Sequence, residues 1–321
     1  IDLNRCVGRP PALPGVDCEE TRTFSDPTGT VKLVYGLDET TQIYALYARG
    51  WKGAQFNASD GVARGAFTFA KPETIDSIEV GFGGEWFDGR LSLDSAFFFY
   101  NYEDYQVFLF ANDLDSPPVR VVRNAASAQL YGAEVDAKTE PIERLLMTVR
   151  FGWLESKFLD FADSGIRKIV SGGFPDLTLL VTEVPIDYTG NRLPNTPRFK
   201  VSASFEYTFL MGRAGSLTPR YDFTYTDDFS FDPSSEGRGA PDNFGNSFLP
   251  KYAVGQREYM LHNMRLTYRT LDEHIEASFW VRNLTDKVYK TLAFDASATA
   301  GLVGNLVGDP RTYGASLKFV Y

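Results

Sequence analysis

Eleven stretches of this chain alternate apolar and polar residues at every second position, and the connections between them are short and long in strict turn. The C-terminal stretch RTYGASLKFVY (311–321) shows the pattern most cleanly. Tyr313, Ala315, Leu317, Phe319 and Tyr321 share one face of an extended strand, while Thr312, Gly314, Ser316 and Lys318 share the other. Such period-two alternation belongs to a strand whose two faces meet different surroundings. In 274–284 it sets Ile275, Ala277, Phe279 and Val281 against Glu276, Ser278 and Arg282. In 197–210 it sets Phe199, Val201, Ala203, Phe205, Tyr207 and Phe209 against Lys200, Ser202, Ser204 and Glu206. Asp88-Gly89, between the alternating runs 74–87 and 90–110, is the strongest kind of short-range hairpin signal.

Short connections are expected near 38–41, 88–89, 140–143, 211–215 and 271–273, and long ones, rich in Gly, Pro, Asp, Asn and Ser, over 51–73, 111–127, 158–195, 231–255 and 286–309. A water-soluble β-sandwich also has one apolar face, but its strands are usually about five or six residues long. These run to about ten or more, near the length a tilted strand needs to cross hydrocarbon. Short turns at one end and long loops at the other are the asymmetry of an outer-membrane barrel. Trp86, Tyr268, Tyr289, Tyr313 and Tyr321 stand near strand ends, as interfacial aromatic girdles require. The expected fold is therefore all-β, a transmembrane antiparallel β-barrel. Its polar face carries Glu79, Glu85, Asp94, Glu134, Asp136, Lys138, Lys200, Glu206, Arg220, Asp222, Arg265, Glu276, Arg282 and Lys318, which suits a wide lumen rather than a small barrel filled by its own side chains. An odd strand count leaves the two ends of the chain on opposite sides of the membrane, whereas bacterial single-chain barrels have even counts. Residues 28–321 are thus expected to be the C-terminal part of a larger barrel, preceded by an extracellular loop over 1–27, with the other strands upstream in a parent protein or in a separate chain.

Composition narrows the function. A formal net charge of −10 and no basic run exclude a nucleic-acid partner. No apolar run reaches the roughly 20 residues of a membrane-spanning helix. Cys6 and Cys18, the only cysteines, lie in a loop-like stretch, where a disulfide is expected to contribute about 3 kcal/mol by closing the loop. His262 and His274 are the only histidines and form no Cys/His cluster, so no metal site or cofactor is expected. Barrel phospholipases pair a His with a Ser on one strand. Here His262 is followed by Asn263 and Met264 and shares the apolar face, so no catalytic residue is expected. GFGG (81–84) sits inside a strand, where glycines ease barrel curvature, and Asn112, Asp113 and Asp115 read as a solvated acidic loop.

VRNLTDKVY (281–289), followed after a long loop by GDPRTYGASLKFVY (308–321), resembles the closing signature of TonB-dependent outer-membrane receptors. YARGWKGAQFN (47–57), FFYNYEDYQV (98–107) and NAASAQLYGAEVD (124–136) extend the resemblance across nearly the whole chain. It implies the C-terminal half of a barrel of about 22 strands, set in the outer membrane of a Gram-negative bacterium. An N-terminal plug that is not among these residues would close the barrel. The function implied is uptake of a scarce nutrient such as a ferric siderophore, cobalamin or an oligosaccharide, energised by TonB. Implied partners are the N-terminal half of the barrel with its plug, TonB through that plug, outer-membrane lipid and lipopolysaccharide, and the barrel assembly machinery, which would read the terminal aromatics Phe319 and Tyr321. The alternative is a passive pore or a half-barrel completed by another chain. Ligand contacts, placed by topology at the outer rim and chosen for aromatic or cationic character, are expected from Trp51, Tyr102, Arg120, Arg123, Tyr188, Arg192 and Phe229.

Overall fold

A computed structural model describes residues 22–57, 68–111, 119–171, 178–233, 250, 252–296 and 302–319. Strands β1 (Gly29–Gly36) and β2 (Thr41–Lys52) are followed by a short pair, β3 (Gln55–Asn57) and β4 (Thr68–Ala70). Next come β5 (Glu73–Trp86), β6 (Leu91–Ala111), β7 (Val119–Thr139) and β8 (Leu145–Asp160), then β9 (Ala162–Ser171) and β10 (Thr178–Asp187). Strands β11 (Phe199–Tyr207), β12 (Phe209–Leu210) and β13 (Ser216–Thr226) precede β14 (Phe229–Ser230) and β15 (Gly255–Gln256). The series ends with β16 (Tyr259–Arg269), β17 (Ile275–Arg282), β18 (Lys290–Ala296), β19 (Leu302–Val307) and β20 (Thr312–Phe319).

Eleven of these strands form one antiparallel sheet in the order β1-β2-β5-β6-β7-β8-β11-β13-β16-β17-β20, with β12 continuing β11 along β13. They correspond one for one to the eleven alternating stretches of the sequence. Four two-stranded ladders, β3/β4, β9/β10, β14/β15 and β18/β19, occupy connections that the sequence pattern leaves as loops. Strands β6 and β7 also run on for 21 residues each, so that 119–127 is strand rather than loop. At about 3.3 Å per residue such strands are roughly twice as long as the hydrocarbon layer is thick, and they rise well above it. Residues solvated on both faces need no apolar/polar alternation, which is why 119–127 leaves no period-two signal.

Register carries one apolar face across the whole sheet. Leu33 lies opposite Ala45, Ala45 opposite Val80, Val80 opposite Phe97 and Phe97 opposite Ala133. The row continues through Trp153, Phe199 and the neighbouring Val201, Tyr225 and Met260. On the last strands Leu266 meets Phe279, and Phe279 meets Ala315. The large side chains of this row lie at the surface: Leu33 is 71%, Val80 53% and Phe97 66% exposed. Such a continuous apolar surface on a folded sheet belongs against lipid.

The five short turns close with local bonds. In 37–40, Asp38 Oδ1 accepts from Thr40 N at 2.8 Å. In 87–90, Phe87, Asp88 and Gly89 all take positive φ (56°, 58° and 79°), so the Asp-Gly signal becomes a wider turn than two residues. In 270–274, Asp272 Oδ1 accepts from the Thr270 hydroxyl at 2.6 Å and from His274 N at 3.3 Å. The buried core sits at the opposite end. Val107, Val121, Ala125, Ala128, Phe158, Phe161, Tyr188 and Leu193 cluster there, at the level of the long connections. Asp104, with φ 52°, reverses the alternation of β6, so that odd-numbered Tyr105 and Val107 join even-numbered Tyr102 in one cluster.

The expected disulfide between Cys6 and Cys18 and the terminal residue Tyr321 lie outside the described residues; Phe319 is the last residue of β20, opposite Ile275. A Cβ on Gly81 would collide with the ring of Tyr44, so the missing side chain seats that ring on the sheet.

Candidate functional site

The face opposite the apolar one is charged over its full width. On β2 and β5, the Tyr44 hydroxyl donates to Glu79 Oε1 at 2.6 Å, and Lys32 Nζ stands 4.1 Å above the Tyr44 ring. Asp94 lies opposite Asp136, whose carboxylate accepts from Arg150 Nε at 2.7 Å. Tyr44, Glu79, Asp94, Asp136 and Arg150, with Glu134, line a groove of about 690 Å³. A second groove, of about 480 Å³, runs over β13, β16 and β17 and is lined by Arg220, Arg265, Arg269 and Arg282 with Glu206, Asp222 and Glu276. Arg220 Nη2 bonds Asp222 at 2.7 Å, and Arg269 Nη2 bonds Glu276 at 2.7 Å. Long polar side chains fixed in pairs on a concave wall can hold a charged, folded body or a large polar solute by many weak contacts.

Above the membrane the long connections are sewn to the extended β6–β7 ladder. Asn57 exchanges two bonds with the backbone of Val122, at 2.8 and 2.9 Å, and Gln106 Nε2 donates to Gly53 O and Lys71 O at 2.8 and 2.9 Å. Lys290 Nζ donates to the carbonyls of Tyr252 and Ala253, tying β18 to the β14–β15 region; burial holds its ammonium below the usual lysine range. Asn283, with φ 48°, ends β17: its Nδ2 donates to Lys287 O at 2.9 Å and Asp309 O at 3.0 Å, and its Oδ1 accepts from Lys287 N at 2.8 Å. Asp286 Oδ1 accepts from Arg311 N at 2.8 Å, so the two halves of the closing signature hold each other. Tyr289 stacks on Tyr259 with centroids 5.0 Å apart.

The rim residues expected to touch ligand separate into several places. Trp51 shares the face of Tyr47 and Ile43 and so looks away from the lumen. Tyr102 packs edge-on to Tyr105, and Tyr188 is buried against Phe161 at 5.0 Å, both within the outer cluster. Arg192 Nη2 bonds Asp228 at 2.9 Å, and the next residue, Phe229 of β14, packs on Phe231. Arg123 lies opposite Val107, and Arg120 opposite Phe110, in the β6–β7 ladder. Arg192 and Asp228 are therefore brought together, with Phe229 next to Asp228 in the chain, while Tyr102 and Tyr188 pack in the outer cluster and Trp51 stands apart. The grooves of the inner wall were visible in the sequence only as the parity of charged residues, because which strands adjoin one another is not written in any single strand.

The profile of the TonB dependent receptor-like, beta-barrel family matches residues 13–284. The chain belongs to this family. Members are outer-membrane proteins of Gram-negative bacteria, and so is this one. Over 305 residues, 94% of this chain, it is 25% identical to the ferric-pyoverdine M114 receptor PbuA of Pseudomonas sp. (strain M114), of which it spans 30%. The fold is also that of the ferric yersiniabactin uptake receptor FyuA from Yersinia pestis, with a TM-score of 0.63 at 20% identity over 91% of this chain and 37% of that one. The pyoverdine outer-membrane receptor FpvA of Pseudomonas aeruginosa PAO1 gives 0.60 at 19% identity, over 92% of this chain and 36% of that one. The copper transporter OprC gives 0.61 at 15% identity, over 91% and 39%, so this fold is shared by proteins named for different cargo. This TonB-dependent receptor barrel segment thus spans about a third of the length of the relatives it matches.

Proposed function

We propose that the chain forms the C-terminal half of the barrel of a receptor that brings a ferric siderophore across the outer membrane, with energy delivered by TonB through a plug. The observation that carries this reading is the two-faced sheet: an apolar surface unbroken across eleven strands, and behind it a charged concave wall suited to a filled lumen. PbuA, named for ferric pyoverdine, supports the choice of cargo. Arg192, held by Asp228 beside Phe229, offers a cation and an aromatic ring at the rim, a combination that suits anionic chelates. The reading assigns the chain no catalytic step: the His262 Nδ1 is engaged with the Tyr221 hydroxyl at 2.7 Å on the outward face.

The test is uptake of ⁵⁵Fe-loaded pyoverdine and yersiniabactin by cells carrying the parent gene or its deletion, with and without a functional TonB. TonB-dependent uptake lost on deletion is the expected result. Uptake of neither chelate, together with a steady large conductance of the purified parent in liposomes, would instead identify a passive pore.

A further inference from the structure

Within the second groove each carboxylate is bonded to Arg220 or Arg269, and the charge of Arg265 reaches Glu276 only without such a bond. Arg220 engages both Asp222 and Glu206, and Arg269 engages Glu276. Among the described residues no ion pair joins Arg265 or Arg282 to a carboxylate. Arg265 nevertheless lies directly opposite Arg220 on one side and opposite Trp280 on the other. Two guanidinium groups facing each other across a ladder oppose folding unless a negative charge lies between or beside them. Arg282 sits over the Trp280 ring, 5.0 Å from its centroid, and that ring covers Gly314, where a Cβ would collide with it. The indole therefore lies flat on the wall, holds one guanidinium by its face and borders the other.

We propose that Arg265 and Arg282, with Trp280 as the floor between them, form a carboxylate site on the lumenal wall. A carboxylate matches the planar guanidinium fork and can accept from both arginines. The charge balance selects a single negative group: four arginines and three acidic residues line the groove, an excess of one positive charge. A phosphomonoester, with a charge of about −1.5 to −2 at neutral pH, would overcompensate it. The carboxylate has two possible sources, an acidic side chain of a domain filling the lumen or a carboxylate-bearing solute in transit. The first source rests on the receptor reading given above; the second requires only that the lumen be open to solute.

The test uses the full-length parent in detergent micelles, with barrel folding verified by resistance to unfolding in cold SDS. One arm follows the urea midpoint of the lumenal domain in wild type, R265Q/R282Q and R265K/R282K. An intrachain carboxylate predicts a lower midpoint in the Gln variant and recovery in the Lys variant. The other arm titrates ¹³C-acetate and follows its carboxylate resonance; a solute site predicts binding about tenfold weaker in the Gln variant. Either result supports the site, and unchanged values in both arms overturn it. A parent that shows no separate lumenal-domain transition contradicts the receptor reading instead, and acetate binding then decides the site alone.

Discussion

Asn283 concentrates more structure than any other residue of the closing signature. Its side chain satisfies three backbone groups while it is only 5% exposed. Asn283→Ala is expected to destabilise the outer end of β17 by about 1–3 kcal/mol, because buried N–H and C=O groups lose their partners; urea unfolding of the parent, compared with Leu284→Ala, measures it. Gly81→Ala is expected to lift the Tyr44 ring and break its bond to Glu79, seen as loss of the Tyr44 environment in ultraviolet resonance Raman spectra. Asp272, in the β16–β17 turn, has its pKa pulled down to about 2, first by the Thr270 hydroxyl and then by His274. A carboxyl lowered from its ordinary value near 4 supports the turn at neutral pH and loses that support as pH falls from about 4 toward 2. Amide exchange at His274 and Ile275, corrected for the intrinsic rate, is expected to accelerate over that interval in the wild type and to be pH-independent in Asp272→Asn. The sequence marked 281–289 as part of a closing signature without showing which groups Asn283 and Asp286 bond. It did not reveal what Gly81 does, since the ring it accommodates arrives from another strand.

At the level of elements, the eleven membrane strands were legible because lipid on one side and a polar lumen on the other impose alternation on every residue. The ladders above the membrane, β9/β10 and β18/β19 among them, were not, because water bathes both faces. Tyr102 and Tyr188 read as rim residues from their position. In the fold Tyr102 packs edge-on to Tyr105, which follows the reversal at Asp104, and Tyr188 lies against Phe161. Phe158, fully buried, stands at the centre of that packing. Phe158→Ala is expected to cost the outer cluster about 3–5 kcal/mol. The consequence to measure is faster proteolysis within 161–193 on whole cells, with the membrane strands still protected; cleavage no faster than wild type would show that the cluster does not hold these connections.

For the whole molecule, the decisive feature is the medium on each side of the sheet. Among the described residues β1 and β20 are its two edges, and an edge in lipid leaves backbone groups without partners, so we propose that further strands, from the parent protein or from another chain, complete the eleven. The inner wall then becomes a lumen surface, and its paired charges become contacts for whatever fills it. Site-directed spin labels placed one at a time along β5 and β17 of the full-length parent in liposomes test this most directly. Labels at Ile78, Val80, Ala277 and Phe279 are expected to be relaxed by oxygen dissolved in lipid. Labels at Ser77, Glu79, Ser278 and Trp280 are expected to be shielded from it. Loss of this alternation, or a parent that stays monodisperse in buffer without detergent, would contradict the assignment of the apolar face to the membrane.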